Sequence, residues 1–360
     1  MNQEKHTAYF AAANTTQGFQ NYFPLIFSPN KLDKIFILKG GPGTGKSSFM
    51  RIISNHAQKL GYHVEEFLCS SDPRSLDGII IRELNFAILD GTSPHTTEPT
   101  YPGVVDNIIY TGAFWNHDEL CKDKRVIISL IQEKKKHFKR AYQFLNAYGD
   151  IQREIRRIGE SALLTEKLDS FIGRLQNRIP NLRKASEETV RVLQAIHSRG
   201  MQKLDTFERK CKNVYVIEDH LFSGYTLLQK LCLSAKEKGQ RMILSPSCIF
   251  TEETEALYLP DEGTCFLMGE RNYDTEIPGK VYHYVNMARF LDKGLIRENK
   301  QKIRFGKRCA EMLLDGAVDS FSEAAKVHFE LENIYVKAMD FDKFSEMTEC
   351  FIHCQFSKKP

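Results

Sequence analysis

The residues with the clearest chemical capacity lie in the run GGPGTGKSS, residues 40–48. Its first eight residues fit G-x-x-x-x-G-K-[ST] without a mismatch. The residue types explain why this spacing binds phosphate. Glycines let the backbone curl until successive N–H groups point inward at phosphate oxygens. A helix starting at the end of the loop adds the partial positive charge of its N-terminus. Lys46 would reach the β- and γ-phosphates of a nucleotide, and the Ser47 hydroxyl would ligate Mg²⁺. The expected nucleotide-binding set is Gly40, Gly41, Pro42, Gly43, Thr44, Gly45, Lys46, Ser47 and Ser48.

Such a site also needs a carboxylate on a neighbouring strand to hold the Mg²⁺ shell. NFAILDG (85–91) offers Asp90 at the end of an apolar run. Open α/β sheets bind ligands outside the C-terminal ends of their strands. Asp90 is therefore the expected metal-shell partner of Ser47. The catalytic group is marked less sharply, because the residue after Asp90 is Gly91, where many ATPases carry Glu. Alongside Lys46, three residues are candidates for a direct role. Asp72, at the mouth of a second strand, would orient water or deprotonate an acceptor hydroxyl. Glu83 just precedes the Asp90 strand. His95, the third, lies with Thr92 beyond Asp90, where a γ-phosphate sensor would sit. Capping and solvated polar roles compete for the same residues. Glu65 and Glu66 are adjacent, which predicts that one of them faces solvent.

The elements that must position these groups are legible. Ile35 to Leu38 (IFIL) reads as a short buried parallel strand. SSFMRIISNHAQKLGY reads as an amphipathic helix with Phe49, Ile52, Ile53 and Ala57 on one side and Gly61 as its stop. HVEEFLCSSD (63–72) and Phe86–Leu89 read as two further strands. Strand, loop and helix thus follow in the order that a phosphate site requires.

The second half repeats the first. VIEDHLFSGYTLLQKL (216–231) aligns without a gap on ILKGGPGTGKSSFMRI. After one deletion the anchors continue: Gly61 on Gly239, FAILDG on TCFLMG (264–269), YPGVV (101–105) on IPGKV (277–281), Phe114 on Phe290, and AYQFLNAYGDIQREI (141–155) on AVDSFSEAAKVHFEL (317–331). An ordered series of this kind indicates an internal duplication with one fold per unit. The chemistry is not repeated. Asp219 replaces Gly40, Phe222 replaces Gly43, Tyr225 replaces Lys46 and Met268 replaces Asp90. An acidic residue in a phosphate nest repels phosphate, so the second unit is expected to keep the fold and bind no nucleotide. The expected architecture is α/β: two tandem P-loop NTPase-like three-layer αβα domains with helical extensions. They divide into an active 1–185 and a degenerate 186–360, with Ile179-Pro180-Asn181 near the break.

Composition narrows the class. The chain has 360 residues, a net charge of +4 and 42% apolar residues, so it can bury real cores. The stretch MNQEKHTAYFAAAN has no apolar signal-peptide core, and no run reaches the about 18 apolar residues of a membrane helix. Nine scattered cysteines suit reduced thiols and a cytoplasmic protein. Cys350, His353 and Cys354 would share a helix face, but without a fourth ligand ordinary packing is expected. Residues 117–199 carry 18 Lys and Arg against 11 Asp and Glu, densest in KKKHFKR (134–140). A solvated helix face is the expected reading, and nothing else favours nucleic acid.

The chain resembles the bacterial tandem P-loop ATP-binding proteins of uncharacterised function. The resemblance rests on FAAANTTQGF (10–19), IFILKGGPGTGKSSFM (35–50), CSSDPRSLDGIII (69–81), ELNFAILDGTSPH (83–95), YPGVVDNI (101–108) and KAMDFDKF (337–344). It covers nearly the whole chain and implies a cytoplasmic NTPase with ATP and Mg²⁺ as cofactors. In such proteins both halves can carry P-loops; here only the first does. ATP is expected over GTP, since no NKxD-type guanine reader lies in the expected place beyond the loop. Asn14, Thr15, Thr16 and Gly18 are candidates to touch the base or ribose.

The leading expectation is Mg-ATP hydrolysis at the first lobe, with the second lobe structural or regulatory and a basic residue such as Arg271 reaching across as an arginine finger. One alternative is a small-molecule or nucleotide kinase with Asp72 as base. The other is a non-hydrolysing switch that orders the 117–199 helices for a protein partner when ATP binds.

Overall fold

The computed structural model describes residues 6–356. The fold is α/β, with two mixed six-stranded sheets. The first contains β1 (His6–Phe10), β4 (Lys34–Lys39), β5 (Val64–Leu68), β6 (Leu76–Ile81), β7 (Phe86–Asp90) and β8 (Asp106–Tyr110), in the order β1-β5-β6-β7-β4-β8. The second contains β9 (Glu187–Val190), β12 (Asn213–Glu218), β13 (Arg241–Pro246), β14 (Thr254–Leu259), β15 (Thr264–Gly269) and β16 (Val281–Asn286). Its order, β9-β13-β14-β15-β12-β16, follows the same path strand for strand. Each half adds a hairpin after its first strand: β2 (Ala12–Thr15) with β3 (Gly18–Asn21), and β10 (Gln194–His197) with β11 (Gly200–Lys203). Left-handed glycines recur at matching places, with φ of +85° and +68° at Gly61 and Gly239 and of +74° and +82° at Gly103 and Gly279. Such a backbone favours glycine, which explains why these anchors persist while the side chains around them change.

Alternating residues of the central strands serve two cores, as the period of a strand dictates. Phe36 and Leu38 of β4 pack outward on Phe49 and Ile53 of α2 (Lys46–Lys59). Ile35 and Ile37 face inward. In the second sheet Tyr215 and Ile217 face outward to Leu227 and Leu228 of α7 (Gly224–Glu237), and Val214 and Val216 face inward. The inner faces share one core. Between them lie only the single turns α1 (Phe23–Ile26) and α6 (Thr206–Lys210), which contribute Phe23, Ile26 and Phe207. The inner helical layer expected for each half is thus reduced to one turn. Ile52, assigned to the buried side of α2, faces solvent.

The remaining helices cross between the halves. After α3 (His117–Lys122), α4 (Lys124–Ser161) runs 38 residues, roughly 57 Å at 1.5 Å per residue. α5 (Thr165–Gln176) follows and places Leu168, Ile172 and Leu175 on the second sheet's helix layer, beside Leu227 and Leu231. The second half answers in kind. After α8 (Lys293–Glu298) comes α9 (Lys300–Ala338), and then α10 (Phe341–Phe356) returns to the first sheet. There Phe351 meets Phe36 and Phe49 at ring distances of 4.9 and 5.1 Å. α4 and α9 lie antiparallel: Lys134 meets His328, Phe144 lies against Gly316, and Ile155 against Gly306. A division at residue 185 leaves each sheet whole but places α5 and α10 on the sheet of the other half. Among the described residues no helix is long and apolar enough to cross a membrane.

The lobes are also tied by charge. Contrary to expectation, neither Glu65 nor Glu66 faces solvent; both are 6% exposed. The Ser54 hydroxyl donates to Glu66. Glu65 accepts from Arg82 at 2.6 Å and from Arg191 of the second half at 2.9 Å. Burial acts to raise the Glu65 pKa, but Arg191 and Arg82 outweigh it and hold the carboxyl at about 2. A depressed carboxyl stabilises the fold above its unfolded pKa, about 4.3, and loses that contribution as pH falls toward 2. Chemical denaturation of the wild type between pH 5 and pH 2 should therefore show a fall in stability that is flatter in Glu65→Gln.

Candidate functional site

β4 ends at Lys39, and the chain turns through residues 40–45 into α2. Gly43 and Gly45 have φ of +67° and +80°. A Cβ at Gly40 would collide with the Thr111 hydroxyl, so the backbone there is in contact with its surroundings. The Thr44 hydroxyl donates to Gly41 O (2.8 Å) and accepts from Thr111 (2.9 Å), which fixes the curl. Lys46 opens α2, and its side chain folds back over the loop, donating to Gly41 O at 2.7 Å and Gly40 O at 3.2 Å. Asp90 closes β7, which pairs in parallel with β4, Leu38 opposite Asp90. Its Oδ2 lies 3.6 Å from Lys46 Nζ, and Oδ1 accepts from the Thr92 amide and hydroxyl. The Ser47 hydroxyl accepts from Leu76 N. Pro42 is half-buried within the loop, and Ser48 is exposed on the first turn of α2. Lys46 and Asp90 are therefore brought together beyond the C-terminal ends of adjacent parallel strands, with Ser47 next to Lys46 in the first turn of α2.

The other expected residues are placed differently. Asp72 is half-exposed and bound by Arg74, Oδ2 to Nη2 at 2.9 Å, with Arg199 of the β10–β11 turn at 3.5 Å. Burial acts upward on its pKa, but the arginines and the Arg74 amide hold it below the ordinary range. Glu83 is not part of the group. It precedes β7, and its carboxylate accepts from His63 N at the opposite end of the sheet. Five extended residues at about 3.3 Å each lie between that end and Asp90. His95 is only 5% exposed and is packed among protein groups. Its ring stacks on Phe23 at 4.6 Å, Nδ1 meets Asp90 O at 2.8 Å, and Nε2 lies 3.6 Å from Asp77. Burial lowers its pKa, but Asp77 and Asp90 raise it further.

Asn14, Thr15 and Thr16 are buried in the first hairpin, where Asn14 donates to Ile196 O and accepts from the Tyr142 hydroxyl. They join the lobes rather than line an open surface. Asn30-Lys31-Leu32-Asp33, which spells NKxD, precedes β4 and lies at the end of that strand away from the loop. Arg271 stays in its own half, on Glu218 at 2.9 Å and over the Tyr284 ring.

Helix crossing supplies neighbours that no local pattern marks. The C-terminal part of α9 lies on the loop: a Cβ at Gly43 would come within 2.8 Å of Glu332 O, and one at Gly41 within 2.8 Å of the Tyr335 ring. Trp115 packs beside Tyr335 at 5.7 Å. His328 Nε2 lies 3.5 Å from Glu332, and its Nδ1 lies 3.3 Å from Lys134 Nζ. Burial, Lys134 and Lys46 push His328 down to about 4. Burial and the nearby Asp72 push Glu332 up, while Lys46, Lys134 and Arg74 act in the opposite sense. Lys134 is thus turned inward, while Lys135, Lys136, Lys139 and Arg140 of the same run are exposed.

The second loop, 219–223, is filled from within. Asp219 Oδ1 accepts from Gly224 N at 2.7 Å, and Oδ2 accepts from Phe222 N at 2.9 Å. A carboxylate of the chain occupies the place where the loop amides converge. Phe222 holds φ of +65°, close to the +67° of Gly43. For a non-glycine residue this costs about 1–2 kcal/mol. α4 covers this loop as α9 covers the first, with Gly159 against Leu221. No family model, curated protein or solved structure matches the chain.

Asp219→Ala leaves two partly buried N–H groups, of Phe222 and Gly224, without their acceptor. It should cost about 1–3 kcal/mol, read as a lower urea midpoint at unchanged slope.

Proposed function

We propose that residues 40–48 bind the phosphates of Mg-ATP and that the first half hydrolyses it there, with the second half structural or regulatory. One observation carries the reading: Lys46, which follows the glycine loop at the end of β4, lies 3.6 Å from Asp90 at the C-terminal end of β7. This is the place where open α/β sheets bind ligands. The loop suits phosphate because its tight curl excludes a side chain at Gly40 and needs left-handed backbone at Gly43 and Gly45.

Among the described residues the partners of the Lys46 ammonium are the Gly40 and Gly41 carbonyls and Asp90, all neutral or anionic. On binding, its ammonium exchanges those carbonyls for phosphate oxygens and offsets charge that develops on the leaving group. Ser47 and Asp90 are the residues that would hold Mg²⁺, which would supply positive charge to offset that of the phosphates. Asp219 supports assigning the activity to one half, because its carboxylate already takes the amides of the second loop. The two arginines on Asp72 count against its serving as a base for an acceptor hydroxyl, so hydrolysis is preferred to phosphoryl transfer.

Mg-ATP at about 100 times its Kd should stabilise the wild type by about 2.7 kcal/mol, visible as a higher melting temperature. Lys46→Ala should melt at the same temperature with and without Mg-ATP and show no turnover. Equal stabilisation of both proteins would refute the assignment.

A further inference from the structure

We propose that Glu332, contributed by the second half through α9, is the catalytic base that activates the attacking water at the loop of the first half. The inference rests on the proposed ATP hydrolysis and identifies the residue that this reaction lacks. Gly91 follows Asp90, so the strand that carries the metal-shell carboxylate provides no base next to it. Glu83 lies at the far end of the sheet, and Asp72 is neutralised by Arg74 and Arg199. Glu332 is differently placed. Its backbone touches the loop at Gly43, and its carboxylate is within electrostatic range of Lys46, Lys134, Arg74 and Asp72. Among the described residues no arginine fork binds it, and its carboxylate lies 3.5 Å from the His328 ring. His328 stays neutral near pH 7, held down by burial and by Lys134 and Lys46. The carboxylate is therefore oriented without being neutralised.

The opposite lobe makes an informative contrast. The aligned segments 141–155 and 317–331 continue into Arg156 and Glu332, which are pseudo-equivalent. Arg156 lies over the rings of Tyr225 and Phe250 and pairs with Glu253. Tyr225 stands where the first half has Lys46. The filled loop is thus covered by an arginine, and the open one by a carboxylate.

The step balances without a further reactant. The water oxygen bonds to the γ-phosphorus, and the bond to the bridging oxygen breaks. Its electron pair leaves on ADP, and the water proton passes to Glu332 and then to solvent. Lys46 offsets the charge on the leaving oxygen.

The test uses full-length wild type, Glu332→Gln, Glu332→Asp and Lys46→Ala. Affinity for a fluorescent ATP analogue with Mg²⁺ is measured separately from single-turnover hydrolysis of ATP. Glu332→Gln is expected to bind within about threefold of the wild type and to hydrolyse on the order of 100-fold more slowly or worse. Glu332→Asp keeps the charge but withdraws it by one methylene, and should lose at least about tenfold; it carries the test if the Gln variant melts early. Turnover by Glu332→Gln at the wild-type rate overturns the inference, as does binding without turnover by the wild type. In both cases loss of binding in Lys46→Ala leaves the nucleotide site standing. No binding by the wild type overturns both.

Discussion

The antiparallel pairing of α4 and α9 is the contact on which the arrangement depends. Each is close to 40 residues long, and each starts in one half and ends over the loop of the other. Their seam is apolar: Ala141 and Leu145 meet Ala317 and Phe321, and Ile127 and Leu130 meet Val327 and Leu331. Small residues let the backbones approach, with Gly306 against Ile155 and Gly316 against Phe144. Because the helices cross, α5 and α10 must complete the outer layer of the opposite sheet. Neither half can then bury its sheet without the other. The shared inner core and the Glu65–Arg191 pair strengthen a union that the helices already impose.

That union makes the difference between the two loops intelligible. The first loop keeps glycine where the backbone turns left-handed, at Gly43 and Gly45, and under the proposed function its amides receive phosphate. The second keeps the same left-handed turn with Phe222 and supplies its own anion in Asp219. A carboxylate of the chain is always present, so the second loop holds its shape without ligand. Under the proposed function the second half is no spare copy. Its remaining part in the chemistry is to bring α9 to the first loop, with Glu332, His328 and Tyr335.

Much of the fold is legible in the sequence because it is set by local patterns. IFIL, the glycine loop and the α2 periodicity predict a strand, turn and helix, and the parallel β4–β7 pair follows from two apolar runs. Aligned anchors predict that the halves share a fold, and the two sheets follow the same strand order. The helix crossing is not legible, because an amphipathic helix shows which face is apolar but not which partner covers it. For that reason Glu332 and His328, almost 300 positions from the loop, carry no local signal. Glu65 and Glu66 escape the alternation rule because both faces of the first sheet are covered. Glu83 and His95 are near Asp90 in sequence but not at the loop: an extended strand separates the first, and the second folds inward onto Phe23.

If the first loop and α9 form one site, nucleotide at the loop must be felt in α9, and hydrogen exchange on the full-length protein, with and without Mg-ATP, reads this out. Nucleotide should slow amide exchange in residues 40–48 and, in parallel, in residues 328–338 of α9, while 219–224 stays unchanged. Protection confined to residues 40–48, with α9 exchanging at the same rate in both conditions, would contradict it.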